Sequence, residues 1–188
     1  GVVAFARGLD NPRNLLVLPN GDVLVAEARS TLTPERRRQL PSELVERWEK
    51  SNAGSTSANR ITLLRDTDRD GVADVQAVLL EGLNQPYGMA IRRDRLYVAN
   101  TDAVSCPFFV GQTKIVGPCR KVLDLPADGY NNHWTRNLVF APDESRFYVT
   151  VGSATNVDEE KQDEKDPRRA AILSAKPDGT DMQIHASG

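Results

Sequence analysis

The sequence predicts an all-β fold in which a unit of four strands occurs three times. Three observations support this: a repeated hairpin pattern, short apolar runs bounded by turn residues, and only one stretch of helical character. The copies of the hairpin pattern begin at Gly8, Gly82 and Asn132. Each copy has a polar loop, an apolar strand, a turn rich in Pro, Asn, Asp or Gly, and a second apolar strand, an order typical of a β-hairpin.

Further apolar runs follow each hairpin and supply the outer strands. These runs are 59–64 and 73–80 in the first unit, the arms of a hairpin around 111–114 in the second, and 170–174 and 182–185 in the third. Four antiparallel strands recurring at about fifty residues are typical of a β-propeller blade. We therefore predict three blades, at about 1–80, 81–129 and 130–188. Three blades cannot close a ring, so we expect the remaining blades to come from the same native chain or another copy.

The first unit is longer than the others because a polar stretch, residues 31–57, interrupts it. Its composition predicts a short helical insertion that Pro41 divides in two, with Ser42 as the N-cap of the second helix. We expect this insertion to pack on the surface of blade one. A flap over the rim of the propeller is the alternative.

The composition is that of a folded globular protein. Of the 188 residues, 39% are hydrophobic and 27% are charged, which argues against a disordered chain. The formal net charge of -2 gives no reason to expect nucleic acid or an anionic membrane surface as a partner. No apolar run approaches the roughly 20 residues that a spanning helix needs, so we expect no membrane span.

The two cysteines, Cys106 and Cys119, lie at equal distances from the predicted turn at 111–114. A hairpin turning there places them opposite one another, within reach of a disulfide. Closing a loop of about 14 residues stabilises a fold by roughly 3 kcal/mol. The alternative is two unrelated buried thiols. A disulfide predicts an oxidising compartment, so we expect a periplasmic or secreted protein.

His133 is the candidate catalytic residue. It lies in the loop before the innermost strand of blade three, at the repeat position that Asp10 and Asn84 hold in the other blades. In a propeller these loops converge at one end of the central channel, where ligands bind. An imidazole there can act as a general base near neutral pH. The alternative is a structural loop histidine.

An acidic turn in blade one has the spacing of a calcium-binding loop. Its candidate ligands are four carboxylates and one backbone carbonyl: Asp66, Asp68, Asp70, Asp74 and the carbonyl of Val72. Gly71 permits the sharp turn, whereas Ala77 stands where such loops usually carry a bidentate glutamate. The alternative is a polar turn between outer strands, where Asp and Gly are favoured in any case.

Residues around His133 resemble a known family. The run Tyr-Asn-Asn-His-Trp-Thr-Arg-Asn-Leu at 130–138, followed by Phe-Tyr-Val-Thr-Val-Gly-Ser at 147–153, looks like the pyrroloquinoline-quinone-dependent sugar dehydrogenases of the soluble glucose and sorbosone dehydrogenase type. Segments 8–13, 58–66 and 168–173 also fit, so the similarity extends along essentially the whole chain.

This resemblance implies a six-bladed propeller that binds pyrroloquinoline quinone, with calcium polarising the quinone. It implies that His133 removes the hydroxyl proton of a sugar or of an aldehyde hydrate while hydride passes to the quinone, which an external electron acceptor then re-oxidises. Four residues are expected to contact the cofactor: Gln85, Asn132, Arg136 and Asn156.

One residue of this chain departs from the family's pattern, and part of the family's site is expected outside the three blades. Asn132 stands where some family members carry an aspartate that assists the histidine. The family's own calcium ligands and its quinone-binding arginine are expected beyond blade three, so we do not expect this polypeptide to be active alone. The competing interpretations are a non-enzymatic propeller module that binds a ligand or partner, and a calcium-dependent lactonase-like propeller.

Overall fold

The computed structural model describes residues 1–30, 34–51, 56–127, 133–154 and 166–188. These residues form three four-stranded antiparallel sheets and two short helices. Within each sheet the strands pair in chain order. The predicted all-β class is confirmed, and the three sheets are consistent with part of a propeller.

The strand bounds follow the predicted hairpins closely. The first sheet contains β1 (Pro12–Val17), β2 (Val23–Glu27), β3 (Arg60–Arg65) and β4 (Val75–Leu80). The second contains β5 (Gly88–Arg92), β6 (Arg95–Ala99), β7 (Ala103–Pro107) and β8 (Arg120–Leu123). The third contains β9 (Leu138–Phe140), β10 (Phe147–Val151), β11 (Ala171–Ala175) and β12 (Gln183–Ser187).

The insertion between β2 and β3 contains α1 (Pro34–Gln39) and α2 (Ser42–Lys50). The prediction that Ser42 is the N-cap of α2 is wrong, because the cap is Pro41 and Ser42 is the first helical residue. The carbonyl of Pro41 accepts hydrogen bonds from the N–H groups of Leu44 (3.0 Å) and Val45 (3.2 Å). The fixed φ of proline suits this entry to a helix without a side-chain cap.

Two apolar cores hold the sheets face to face. The first lies between the first and second sheets and includes Leu24, Ile61, Leu63, Leu96, Val98 and Phe108. The second lies between the second and third sheets and includes Tyr97, Leu123, Phe147, Val149 and Leu173. Alternate residues of β2, β3, β10 and β11 enter a core, as the period of two in a β-strand requires, whereas every residue of β12 is exposed.

The innermost strands lie side by side, with β1 next to β5 and β5 next to β9. The Gly88 N–H donates a hydrogen bond of 2.8 Å to the carbonyl of Arg136, just before β9. A Cβ at Gly88 would lie 2.5 Å from the backbone nitrogen of Leu138, so only glycine permits this approach. The loops before the three inner strands therefore meet at one end of the sheets. We call this end, with loops 8–11, 82–87 and 133–137, the mouth.

The outward faces of the first and third sheets carry exposed apolar side chains. Leu15 and Val17 project from the first sheet, and Val139 and Ile172 project from the third. Apolar side chains contiguous on one sheet face are typical of a surface that packs against a partner.

The predicted disulfide between Cys106 and Cys119 is present. Ser105 pairs with Arg120 in the ladder of β7 and β8, so the register places the two cysteines opposite one another, as predicted. Cys106 is fully buried in the first core. In the described part of the chain, no helix has the length and apolar character needed to cross a membrane.

Candidate functional site

His133 lies at the mouth, and Ser153, which follows β10, holds its ring. The Nδ1 atom lies 3.0 Å from the Ser153 carbonyl oxygen and 2.9 Å from the Ser153 hydroxyl oxygen. A carbonyl oxygen can only accept a hydrogen bond, so the contact favours the neutral tautomer with its proton on Nδ1. In that tautomer Nε2 is the basic nitrogen.

Gly152 allows the His133 ring to lie this close to β10. A Cβ at Gly152 would lie 2.5 Å from the Cβ of His133 and 3.2 Å from its carbonyl oxygen. Contacts below 3.0 Å between such atoms force a shift of the backbone or of the side chain. The Gly152-Ser153 pair therefore fixes both the distance and the orientation of the imidazole.

Trp134, directly after His133, links the loops of all three sheets. Its ring is almost completely buried, and its Nε1–H donates a 2.6 Å hydrogen bond to the hydroxyl of Ser30, just after the first sheet's β2. Tyr87, from the second sheet, meets the indole edge-on with ring centroids 6.5 Å apart. The guanidinium carbon of Arg13 lies 5.3 Å from the indole centroid.

Arg136 hydrogen-bonds to the backbone of the loop that carries His133. Its side chain is fully buried, and its guanidinium donates hydrogen bonds to the carbonyls of His133 (2.5 Å) and Pro126 (2.9 Å). Burial, with a smaller effect of Arg169, lowers its pKa to about 10. The guanidinium thus faces the backbone of its own loop. That geometry makes Arg136 a positioning residue, whereas its predicted contact with a cofactor stays a prediction.

Gln85 joins the mouth to the stems of the helical insertion. Its backbone N–H donates to Oδ1 of Asn59 (3.1 Å), and its Nε2 donates to the carbonyl of Arg29 (3.3 Å). Gln85 and Asn11, which occupy equivalent repeat positions, both have positive φ, at 53° and 51°. The half-buried Gln85 side chain can offer its amide oxygen to a ligand.

Glu27 is a fully buried carboxylate beneath the mouth. It accepts hydrogen bonds from Nε and Nη2 of Arg60 at 2.9 and 3.0 Å, and further ones from the Thr62 hydroxyl and the Asp10 N–H. Burial alone would raise its pKa, but the hydrogen bonds from Arg60, Thr62 and Asp10 together lower it below its ordinary value. Asp10, the first-sheet equivalent of His133, in turn pairs with Arg29.

The acidic turn brings together three of its predicted ligands. Oxygen atoms of Asp66, Asp68 and Asp74 lie within 4.8 Å of one another. Asp70 points elsewhere and accepts the N–H of Val72 at 2.8 Å. The two oxygens of Asp66 accept the N–H groups of Arg69 (2.7 Å) and Gly71 (2.9 Å), and so close the turn.

The acidic turn is remote from His133. It follows β3, which begins beside Glu27 at the mouth and runs away from it for six residues. At about 3.3 Å per residue, this strand separates the turn from the mouth by roughly 17 Å or more.

Two predicted cofactor contacts, Asn132 and Asn156, lie outside the described residues. Conversely, sequence reasoning missed the contacts of His133 with Gly152 and Ser153, and the link between Trp134 and Ser30. The buried carboxylate of Glu27 could have been predicted, because this charged residue directly follows the apolar run 23–26.

Comparison with protein families gives one match. The model described as Domain of unknown function (DUF7133) matches residues 41–188. The chain belongs to the DUF7133 family. Among curated proteins, none matches it.

Solved structures with the same fold as this DUF7133 chain include sugar dehydrogenases. They include the holo pyranose dehydrogenase PQQ domain from Coprinopsis cinerea (TM-score 0.63, 17% identity) and a calcium structure of the Trichoderma reesei family AA12 enzyme (TM-score 0.63, 18% identity). A third is the PQQ-bound aldose sugar dehydrogenase from Streptomyces coelicolor (TM-score 0.57, 18% identity).

These alignments cover nearly all of the DUF7133 chain and a smaller part of its neighbours. They cover 92%, 92% and 95% of this chain, but 35%, 36% and 48% of the respective neighbours. The chain therefore spans between about a third and a half of the length of each. The resemblance to quinone-dependent sugar dehydrogenases is confirmed at the level of the fold.

Proposed function

We propose that this chain forms part of a quinoprotein oxidoreductase that oxidises a sugar or sugar aldehyde, with hydride transfer to pyrroloquinoline quinone. One observation carries the proposal: His133, oriented by Ser153, lies at the mouth of a fold that structures of quinone-dependent sugar dehydrogenases share. The similarity in fold supports pyrroloquinoline quinone as the cofactor, and the orientation of His133 supports its role as a general base.

His133 acts as the general base in this proposal. The Ser153 carbonyl keeps the ring proton on Nδ1, so Nε2 is the nitrogen that takes the proton of a substrate hydroxyl. Ser153 does the orienting that a carboxylate often does for a catalytic histidine. Arg136 donates a hydrogen bond to the carbonyl of His133, and the missing side chain of Gly152 lets His133 lie close to the segment after β10.

Two described side chains at the mouth carry polar atoms that can contact a cofactor. Gln85 offers an amide oxygen and His133 offers Nε2, while Asn132 and Asn156 remain proposed contacts. Bound there, pyrroloquinoline quinone would supply the hydride acceptor that the side chains lack. An external electron acceptor would be needed to re-oxidise the reduced quinone.

Further sheets complete the proposed propeller of six blades. The exposed apolar residues of the outward faces, such as Leu15 and Val139, support this because each face resembles one half of a core between sheets. The partner sheets belong to the same native chain or to another copy. The Cys106–Cys119 disulfide supports a periplasmic or secreted location.

The acidic turn is proposed as a structural calcium site. Asp66, Asp68 and Asp74 supply convergent carboxylates, and the Val72 carbonyl has the spacing of a further ligand in a calcium loop, whereas Asp70 would have to turn from its contact with the Val72 N–H to bind the ion. Since the turn lies at the far end of β3 from His133, a calcium ion there stabilises the hairpin and does not reach the quinone.

The test uses the full-length native protein with added calcium and pyrroloquinoline quinone. We expect reduction of a redox dye that depends on both the quinone and an aldose or sugar aldehyde from a panel. Absence of quinone binding would overturn the proposal. Calcium-dependent hydrolysis of lactones without quinone would indicate the lactonase-like alternative, and ligand binding without turnover would indicate a binding module.

A further inference from the structure

The base of the helical insertion is hydrogen-bonded to the loop that carries His133. Ser30 directly precedes the insertion and lies three residues after the end of β2. Its hydroxyl oxygen accepts the Nε1–H of Trp134 at 2.6 Å, although the two residues are 104 positions apart in the sequence. This hydrogen bond therefore joins the first sheet to the mouth loop of the third.

The stem that carries Ser30 is itself held in place at the mouth. The N–H of Arg29 donates a 2.9 Å hydrogen bond to the hydroxyl of Ser57, which joins the two ends of the insertion. The carbonyl of Arg29 accepts the Nε2–H of Gln85 at 3.3 Å, and its guanidinium pairs with Asp10. Ser30 is therefore anchored against the mouth loops of the first and second sheets.

The Trp134 indole takes its direction from this anchored hydroxyl. The residue is only 5% exposed, and a buried N–H without an acceptor costs free energy. The Ser30 hydroxyl accepts that N–H, while Tyr87 packs edge-on against the ring with centroids 6.5 Å apart. The two contacts together hold the indole in one orientation.

The orientation of the indole bears on His133 because the two residues are consecutive. The peptide unit between them is planar, so its atoms move together. This unit contains the His133 carbonyl, to which Arg136 donates a hydrogen bond of 2.5 Å. If the indole turns to find another acceptor, the unit turns with it and moves the Cα of His133. The imidazole then leaves its 3.0 Å contact with the Ser153 carbonyl.

We propose that Ser30 is a positioning residue for His133 and that it acts through the Trp134 indole. The hydroxyl holds the indole, and the indole holds the Cα from which the imidazole reaches Ser153. The base of the helical insertion thereby belongs to the arrangement that orients His133. The inference rests on the proposed function only for the role of His133 as a base.

The first measurement uses the full-length native protein without cofactor. Nitrogen-15 NMR gives the ratio of the two neutral tautomers of His133, and His133→Asn assigns the signals. Ser30→Ala and Trp134→Phe break the same hydrogen bond from opposite ends. We expect each to lower the ratio of the Nδ1–H tautomer to the Nε2–H tautomer about tenfold, since a neutral hydrogen bond is worth up to about that factor. Ser30→Thr keeps a hydroxyl and should keep the wild-type ratio.

The second measurement adds pyrroloquinoline quinone, calcium and an aldose, and follows quinone reduction in a single turnover. We expect Ser30→Ala to slow reduction on the order of tenfold with the affinity for the quinone unchanged, because a shift of less than about 1 Å misaligns the base. The double variant Ser30→Ala/Trp134→Phe should be no slower than the slower single variant, because both changes remove one interaction.

The matched control is Ser105→Ala. Ser105 is also a buried serine, and its hydroxyl accepts a side-chain hydrogen bond, from Nε of Arg95 at 2.5 Å, but it lies in β7. This variant should have the wild-type tautomer ratio and rate, so that a general loss of stability is distinguished from a displaced histidine.

Two results would overturn the inference: a wild-type tautomer ratio in Ser30→Ala, or losses in rate that add in the double variant. If Ser30→Ala does not fold, a wild-type ratio in Trp134→Phe would overturn it equally. A wild type that binds no quinone would overturn the proposed function, whereas the tautomer ratios of the cofactor-free proteins would still decide the role of Ser30.

Discussion

The Nδ1 atom of His133 lies 3.0 Å from the carbonyl oxygen of Ser153, twenty residues further along the chain. The contact joins the loop before the innermost strand of the third sheet to the segment after the neighbouring strand. It orients an imidazole at the end of the molecule where loops of three sheets meet.

Gly152→Ala should displace His133. The new Cβ would lie 2.5 Å from the Cβ of His133, so the loop must move. A displacement of about 1 Å at a reacting group can cost on the order of 100-fold in rate. We expect a loss of that order in quinone-dependent dye reduction, with little change in the melting temperature. Gly188→Ala is the control, because its Cβ would make only an ordinary 3.6 Å contact. Equal turnover in wild type and Gly152→Ala would mean that His133 is not positioned as described.

The buried Glu27 should make the fold sensitive to acid. Its folded-state pKa lies below the ordinary value of 4.5, so its stabilising effect is present above about pH 4.5 and is lost as pH falls through the folded pKa. We expect Glu27→Gln to lower the free energy of unfolding at pH 7 by about 2 kcal/mol, because charged hydrogen bonds are lost. Urea titrations between pH 7 and 3 measure both effects.

The control for Glu27 is Glu49→Gln, which removes an exposed ion pair with Arg37. Exposed pairs contribute about 0–1 kcal/mol, so this variant should keep nearly the wild-type pH profile. The role given to Glu27 would be wrong if both variants lost the same stability.

The Cys106–Cys119 disulfide should contribute substantially to stability. It joins cysteines separated by 13 residues, and closing a loop of this size is worth about 3 kcal/mol. We expect the double variant Cys106→Ala/Cys119→Ala to have a free energy of unfolding in urea that is lower by about that amount. A reductant should lower the free energy of unfolding of the wild type to a similar value. A reductant that leaves the wild-type midpoint unchanged would contradict this.

Calcium should bind the acidic turn and raise thermal stability. We expect Asp68→Asn to weaken binding, because it removes one of three carboxylates whose oxygens lie within 4.8 Å. Calorimetry and melting with and without a chelator measure the effect. Asp94→Asn, in the exposed turn between β5 and β6, is the matched control. A chelator that leaves the melting temperature of the wild type unchanged would show that the turn is only a polar connection.

The parts of this molecule that sequence reasoning predicted are those that depend on local pattern. Alternating apolar residues and turn chemistry gave the hairpins, and equal distances from one turn gave the pairing of Cys106 with Cys119. The contacts that orient His133 do not follow from a local pattern. They join residues far apart in sequence, and neither a glycine at 152 nor a serine at 153 has a local signal that shows which ring it will face.

The same limit applies to Arg13 and Arg136. Nothing in their sequence neighbourhoods distinguishes a buried arginine that donates to backbone carbonyls, Arg136, from an exposed one that lies beside the Trp134 indole, Arg13. A bulge in β1 and the packing of the loop decide between these roles. Local signals also failed at Ser42, where a proline carbonyl replaced the expected side-chain cap.

The most direct test compares wild type with His133→Asn in the full-length native protein, loaded with calcium and pyrroloquinoline quinone and mixed anaerobically with an aldose. Quinone reduction is followed by absorbance in a single turnover. We expect both proteins to bind the quinone, and the variant to reduce it more slowly by about 100-fold or more, which is the usual contribution of a general base. Equal rates in the two proteins, or a wild type that binds no quinone, would contradict it.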